Sequence, residues 1–507
     1  RRNSNPLATP KNTFKIGDNS RLFEFFREPE NPCTPSTLGF SEPRKKRQKS
    51  IKFSPIFGEI FIIKQISMDT IVALSTPAGK GGIAVIRLSG NPLPIARAVF
   101  ETKAINGEIK PNFMYFGKIN AKDFSDLGYM VYFKSPKSYT GEDVVEFHVH
   151  GGTRIAEGVI SACVSKGARL AERGEFTRRA FLNGKMDLSD AEGVIDMINA
   201  DSADAVKAAY RLMTGKLSKA VKDVQNDLKT VLTGLVAVLD YPEELEDETL
   251  PSAEEELEKI VKTLTALQNS RAYGKMIKEG MDVALVGDTN VGKSSLMNAI
   301  LGYDRAIVSS IKGTTRDFIS DSFELSGKKI NLCDTAGIRE SNDEIEKEGI
   351  NRSISIVKDA RLVLRVLDAT QEKPENKALE NALSGKKVVE VYNKSDLINN
   401  AKNEENKIFV SAKTGDGIDE LLKIVAKYFD EEKTSESEVL TSERQLSSVT
   451  TAKEKVEEGL NALKAGVTTD CVISVLTEGY TALGEITGET VSEKIIDDIF
   501  DKFCVGK

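Results

Sequence analysis

A short apolar run, Asp282–Val286, leads directly into Gly287-Asp288-Thr289-Asn290-Val291-Gly292-Lys293-Ser294, and a helix-compatible stretch opens at Ser295. This is the G-x-x-x-x-G-K-[ST] phosphate loop in the context it requires, after a strand and ahead of a helix. The glycines let successive backbone N–H groups turn toward one phosphate. Lys293 can bridge the β- and γ-phosphates, Ser294 can ligate magnesium, and the helix aims its positive end at the anion. The apolar runs Ile330–Cys333, Leu362–Leu367, Val388–Val391 and Ile408–Val410 alternate with helical stretches. That alternation predicts a parallel sheet wrapped by helices, an α/β domain over residues 281–432.

Two further elements follow in chain order. Asp334-Thr335-Ala336-Gly337 ends a strand, where Asp334 can reach magnesium through water and the Gly337 N–H can sense a γ-phosphate. Asn393-Lys394-Ser395-Asp396 ends a later strand. The Asp396 carboxylate can accept two hydrogen bonds from the ring N–H and exocyclic amine of guanine, a donor pair that adenine lacks. Leaving it unpaired against the wrong base costs several kcal/mol. Ser411-Ala412-Lys413 suits a backbone contact to the guanine oxygen. The ordered set predicts a GTPase domain. Small signalling GTPases place a water-orienting glutamine directly after the Asp-x-x-Gly element, but here that position is Ile338. The loop Arg339–Gly349 offers Glu340, Asp343, Glu344, Glu346 and Glu348 as replacements, and spacing does not choose among them.

Outside this segment the pattern changes. Residues 68–186 mix short strands (Asp69–Leu74, Ile83–Leu88, Val144–His148) with glycine turns and a helix near Arg154–Lys166, which predicts an α+β domain. Apolar residues at three- and four-residue steps across Ala203–Leu239, and again across Ser442–Leu463, predict amphipathic helices. The acidic run Glu243–Glu248 with Pro251 and Glu254–Glu256 reads as a solvated turn and then a helix. Two helical tracts, 187–280 and 433–507, therefore flank the nucleotide segment, as in one all-α domain with another inserted into it.

Charge divides the chain unevenly. Residues 1–67 hold thirteen Lys or Arg against six Asp or Glu, a balance of +7, which leaves −14 for the remainder. The basic stretch has no sustained period and reads as a disordered tail or a stretch upstream of the natural start. Its six acidic residues argue against an organelle-targeting segment. A body at −14 repels a phosphate backbone overall, so RNA contact needs a local basic patch or a partner. Five widely spaced cysteines and two histidines argue against a disulfide framework, a zinc site or a histidine triad and fit a reducing cytoplasm. No stretch reaches the ~20 apolar residues of a membrane helix, so no membrane insertion is expected.

Asn290 within the phosphate loop, Gly313-Thr314-Thr315-Arg316-Asp317, Asp334–Arg339 and the carboxy-terminal Phe503-Cys504-Val505-Gly506-Lys507 together resemble the MnmE (TrmE) family of tRNA modification GTPases. That family sits within the TrmE-Era-EngA-EngB-Septin-like superfamily. The likeness extends from Met68 to Lys507 through Ala78–Arg87, Tyr139–Asp143, His150-Gly151-Gly152 and Gly174–Phe181. It implies a homodimer that acts with an FAD-dependent partner of the MnmG (GidA) type. Together they would place an aminomethyl or carboxymethylaminomethyl group on C5 of the tRNA wobble uridine. The one-carbon unit would come from a tetrahydrofolate derivative, in the 5-formyl or 5,10-methylene form. The amino-terminal domain would bind folate and dimerise, with Arg87, Glu146, Lys185 and Lys507 as the folate set.

The implied GTP set is Asn290, Val291, Gly292, Lys293, Ser294, Ser295, Ser309, Ser310, Ile311, Lys312, Gly313, Thr314, Thr315, Asp334, Thr335, Ala336, Gly337, Asn393, Lys394, Asp396, Ser411, Ala412 and Lys413. Ser294 and Thr315 would hold Mg2+. Asn290, Ser309, Ile311 and Thr314 would hold a stimulatory K+, with Ser309 replacing the threonine typical of the family. Glu346 would orient the attacking water. Cys504 is a candidate thiol whose alternative is a structural cysteine, and His150 reads as a strand-end turn residue. A GTP-regulated ribosome or RNA assembly factor and a GTP-regulated folate enzyme are the competing functions. The acidic body disfavours the former, which usually carries a basic RNA-binding module.

Overall fold

The computed structural model describes residues 69–105, 107–288, 290–303, 320–334, 356–373, 377–399, 403–404, 406–431 and 438–507. All of them belong to one of two compact units of the chain, 59–507. The stretch 1–67, Thr289, the segment with Ser309, Ser310, Ile311, Lys312, Gly313, Thr314 and Thr315, and the segment with Thr335, Ala336, Gly337 and Glu346 lie outside the described residues.

The amino-terminal part builds one sheet from β1 (Ile71–Leu74), β2 (Ile83–Gly90), β3 (Phe100–Glu101), β4 (Met114–Asn120), β5 (Ser125–Phe133), β6 (Asp143–His150) and β7 (Arg169–Leu170), in the order β3-β4-β5-β6-β2-β1-β7. Every pairing is antiparallel except β1 with β7. α1 (Leu93–Val99) and α2 (Thr153–Ser165) cover one face. Alternation along β2 sends Ala84, Ile86 and Leu88 into that core and turns Arg87 to the other face. β6 likewise buries Val145, Phe147 and Val149 and turns Glu146 and His148 the opposite way. α3 (Glu175–Leu182) follows β7, and its Phe176 joins Ile71, Ala73, Ala171 and Tyr139 on this second face.

The helical tracts are α4 (Leu188–Ile198), α5 (Ala203–Met213), α6 (Lys216–Asp240), α7 (Pro242–Asn269) and α8 (Arg271–Glu279) before the insertion. After it come α12 (Glu443–Lys464), α13 (Thr469–Thr487) and α14 (Glu493–Phe500). α6, α7, α12 and α13 form a four-helix ring around Val221, Leu228, Leu257, Leu264, Val456 and Leu476. Two expectations change here. The apolar tract over Ala203–Leu239 is two helices, broken at Thr214-Gly215 where Gly215 takes φ 74°. The acidic run is no turn: α7 runs unbroken through Glu243–Glu248 and Pro251. Pro242 stands in its first turn with Glu243 and Glu244, which favour a helix start. Pro251 and Asp247 are exposed, so the carbonyl that loses its partner faces water.

The inserted domain is a sheet of β8 (Met281–Val286), β9 (Ser320–Leu325), β10 (Lys328–Asp334), β11 (Leu362–Asp368), β12 (Lys387–Asn393) and β13 (Lys407–Phe409), in the order β13-β12-β11-β8-β10-β9. Only edge strand β9 runs antiparallel. Its helices include α9 (Lys293–Tyr303), α10 (Lys377–Leu383) and α11 (Ile418–Glu431). Tyr273, Met276 and Ile277 of α8 and Ala205 of α5 continue its core, so the sheet is seated on the helical tract. Asp201 joins in through its bond from Lys329 Nζ at 2.9 Å, and the Asp204 N–H donates to the Gly327 carbonyl at 2.9 Å.

Candidate functional site

Because β8, β10, β11, β12 and β13 are parallel, their carboxyl ends share one edge of the sheet. That edge gathers the phosphate loop, Asp334, Asp368, Asn393 and Ser411, as expected for ligand binding at the switch point of such a sheet. Gly292 stands at φ 91°, and a Cβ there would lie 2.3 Å from Asn393 Nδ2. The glycine is needed because Asn393 is buried and clamps two loops. Its Nδ2 donates to the Val291 carbonyl at 2.9 Å, and its Oδ1 accepts from the Ala412 N–H at 3.0 Å.

Lys293 is buried and donates to the carbonyls of Gly287 and Asp288 at 2.8 and 2.7 Å. Burial lowers its pKa, with Asp334 and Asp288 opposing, so the loop holds a partly desolvated cation suited to phosphate. Ser294 Oγ, which is exposed with its residue, donates to Asp334 Oδ2 at 3.2 Å. Two hard oxygens at this spacing fit magnesium, which prefers oxygen ligands and keeps water and phosphate in its shell.

At the base side, Ser411 Oγ donates to Asp396 Oδ1 at 2.7 Å and leaves Asp396 exposed. Lys394 takes φ 65° and donates to Asp368 Oδ2 at 2.6 Å. Burial pushes the Asp368 carboxyl up, but Lys394 and two bonds from Thr370 outweigh it and bring the pKa to about 2. Asp368 has no place in the sequence motifs. Its signal was position alone, at the end of an apolar strand beside the Asn-Lys-x-Asp element. Asn290 (φ 63°), Ser295 and Lys413 are exposed at the same edge.

A second cluster lies on the open face of the amino-terminal sheet. Arg87 and Glu146 are register partners on β2 and β6, and Arg87 Nε donates to Glu146 Oε1 at 2.8 Å. The guanidinium rests over the rings of Tyr139 (5.3 Å) and Phe176 (5.8 Å). Burial raises the Glu146 pKa, yet bonding to His148 and the charge of Arg87 leave it below its ordinary value. Lys185 is exposed and donates to the Pro136 carbonyl at 3.0 Å, on the loop that carries Tyr139.

The carboxy terminus is drawn into the same neighbourhood. Gly506 accepts from Ser75 Oγ at 3.1 Å, and a Cβ on it would stand 2.0 Å from the Leu74 carbonyl. Leu74 neighbours Ala73, the register partner of Arg87, so the backbone of Gly506 lies one strand away from this cluster. Cys504 is exposed rather than semi-buried. His150 closes β6, with Nδ1 at 2.7 Å from Asp126 Oδ1.

Phosphate loop, magnesium-side aspartate and Asn-Lys-x-Asp element on one edge of a parallel sheet define a P-loop GTPase. Two stretches of the chain match known families: 70–185 the GTP-binding protein TrmE N-terminus, and 188–504, a span that includes the nucleotide domain, the MnmE helical domain. The chain is 38% identical over 456 residues to the tRNA modification GTPase MnmE of Acetivibrio thermocellus, covering 87% of this chain and 99% of that one. It is 38% identical over 453 residues to MnmE of Aquifex aeolicus, covering 87% and 100%. A solved G domain of the T. maritima FeoB iron transporter aligns at 26% identity, over 29% of this chain and 98% of that one, at a TM-score of 0.22 too low to carry weight. The chain belongs to the MnmE family of tRNA modification GTPases.

Among the described residues, no helix is long and apolar enough to cross a membrane.

Proposed function

We propose that this GTPase drives C5 modification of the tRNA wobble uridine with a tetrahydrofolate one-carbon unit bound on the open face of the amino-terminal sheet. The added group is aminomethyl or carboxymethylaminomethyl, and the working form is a homodimer with an FAD-dependent partner of the MnmG type. The supporting observation is the convergence of β2, β6, the Tyr139 loop and the carboxy terminus around Arg87 and Glu146. A cation over two aromatic rings, with a carboxylate beside it, suits a ligand with a planar ring and acidic groups. Bound there, the folate supplies a one-carbon unit at the oxidation level of formate or formaldehyde. Arg87, Lys185 and Lys507 hold acidic groups, and Glu146 accepts from ring N–H donors.

At the nucleotide edge, Lys293 binds phosphate, Ser294 and Thr315 hold magnesium, and Asp396 reads guanine. Asn290, Ser309, Ile311 and Thr314 hold potassium, and Glu346 orients water. The test is nucleoside mass spectrometry of tRNA from cells lacking this gene, complemented with wild type or with Arg87→Ala. Restoration of C5-modified uridine by wild type alone, with GTP hydrolysis and the fold of Arg87→Ala intact, is expected. Equal restoration by Arg87→Ala, together with unchanged 5-formyltetrahydrofolate binding in calorimetry, would overturn the assignment.

A further inference from the structure

Between Ala205 and Lys222 the chain carries Lys207, Arg211, Lys216, Lys219 and Lys222 and no acidic residue, within a body whose charges otherwise sum strongly negative. The structure sets these cations on the outer surface of α5 and the first turns of α6. Lys207, Tyr210 and Arg211 are all exposed at i, i+3 and i+4, so they share one stripe of α5. Tyr210 is 57% exposed, a large aromatic ring between two cations. Beyond the Gly215 break, Lys216, Lys219 and Lys222 are exposed on α6.

Acids border the stretch: Asp204 precedes it, the exposed Asp223 follows Lys222, and Asp190 lies against Gly215. Lys207 pairs with Asp204 at 2.9 Å, Arg211 stands 4.0 Å from Glu438, and Lys222 stands 3.8 Å from Asp187. The basic member of each pair is 48–73% exposed, so water screens the pair to about 1 kcal/mol or less and leaves the cation able to meet a second anion. Among the described residues, Lys216 and Lys219 have no acidic partner. The direction of the stripe also matters. Asp187, beside Lys222, lies two residues after Lys185, so the cations end next to the open-face cluster of the amino-terminal sheet.

We infer that this surface of α5 and α6 is a phosphate track that seats RNA and leads it toward that cluster, an inference that rests on tRNA being the substrate. Cations about one helical turn apart match the scale on which phosphates follow one another along a strand. An exposed tyrosine among them gives an unpaired base a ring to stack on, a contact that an acidic protein surface does not require. The −14 body repels the rest of the RNA and thereby confines contact to this track.

The test uses the full chain and a fluorescent in vitro transcribed tRNA, with anisotropy read across increasing KCl. For K207A/R211A/K216A/K219A, affinity at the lowest salt falls at least tenfold. The slope of log K against log salt becomes shallower by about 3, at roughly 0.7 for each of the four lost phosphate contacts. K455A/K464A, on the outer surface of the helical ring, leaves both nearly unchanged. Y210A lowers affinity about fivefold or more and keeps the slope, because stacking releases no counterions. GTP hydrolysis without RNA is unchanged in all variants.

A quadruple variant with wild-type affinity and slope overturns the track. So does one that keeps tRNA but loses its hold on an acidic protein partner. Wild-type chain that binds no tRNA even with its FAD-dependent partner overturns the substrate reading beneath it, a result distinct from a wild type that binds and a variant that is indifferent.

Discussion

Replacing Arg179 with alanine should unfold the amino-terminal domain before any other part, and by an amount that depends on pH. Arg179 is 3% exposed. Its Nη2 donates to Asp69 Oδ1 at 2.8 Å and Glu175 Oε1 at 2.9 Å, and its Nη1 to Glu142 Oε2 at 3.1 Å. The three acceptors differ in weight. The Asp69 side chain is 45% exposed, so its share is about 1 kcal/mol or less. Glu175 is buried but keeps its pairing with Arg169 at 2.5 Å. Glu142 is 12% exposed and is left with Ser89 Oγ at 2.7 Å as its main partner. Stranding that buried charge costs about 3–5 kcal/mol near neutral pH. For a domain of this size the melting temperature falls on the order of 10 °C or more.

Burial pushes the Asp69 and Glu175 carboxyls up, but bonds from Arg169 and Arg179 hold both below their ordinary values. Groups depressed in this way stabilise the fold fully above the ordinary carboxylate pKa of about 4 and lose that contribution as pH falls through the folded value. The gap between wild type and Arg179→Ala therefore narrows from pH 7 to pH 3. Scanning calorimetry of the full chain checks this, with the nucleotide domain's transition identified by its shift on adding GDP. A gap under 1 kcal/mol at pH 7, or one unchanged at pH 3, would refute the reasoning. The network matters beyond stability, because Glu142 and Thr140 anchor the loop that lays Tyr139 under Arg87.

Gly292→Ala forces a Cβ against Asn393 Nδ2 in a left-handed backbone, and the two penalties sum to about 3 kcal/mol, so GDP affinity in calorimetry falls about 10²-fold. Asp368→Asn loosens Lys394 beside the base and leaves the phosphates alone; the Kd for GDP and the KM for GTP rise by one common factor while kcat holds, and a kcat loss with unchanged GDP binding would contradict that. Glu346→Ala lowers GTP turnover about 10²-fold or more with little change in affinity, the pattern of a group acting in the transition state. Lys293 has a depressed pKa, so the nucleotide-free domain gains stability as pH rises toward the ordinary lysine value; GDP or Lys293→Met should remove that slope in a thermal-shift titration.

Much of the nucleotide edge was legible because its chemistry is local. A phosphate cradle is built from consecutive backbone N–H groups, so Gly287–Ser294 must be contiguous and can be read as a word. The same holds for the Asn393–Asp396 element, whose donors and acceptors stand within four residues. The reading failed where local signals compete with tertiary ones. Acidic residues and Pro251 argue for a turn, yet the apolar stripe of Ala253, Leu257, Ile260 and Leu264 packs into the helical ring and outweighs them. Gly215 interrupts a tract whose three- and four-residue periodicity continues on both sides of the break, which is why periodicity saw one helix.

By itself the sequence determined a nucleotide domain inserted between helical tracts, the base it reads and, through likeness, the family. Tertiary structure decided the rest. Arg87 meets Glu146 only because antiparallel register sets them opposite, 59 residues apart. Asp368 meets Lys394 because parallel strands end at one edge. Gly506 and Lys507 reach β1 only because α14 packs against α3 and α4 and carries them back across the whole chain. Contacts of this kind depend on which strands and helices lie side by side, and that is fixed by burial of faces contributed from the entire length of the chain.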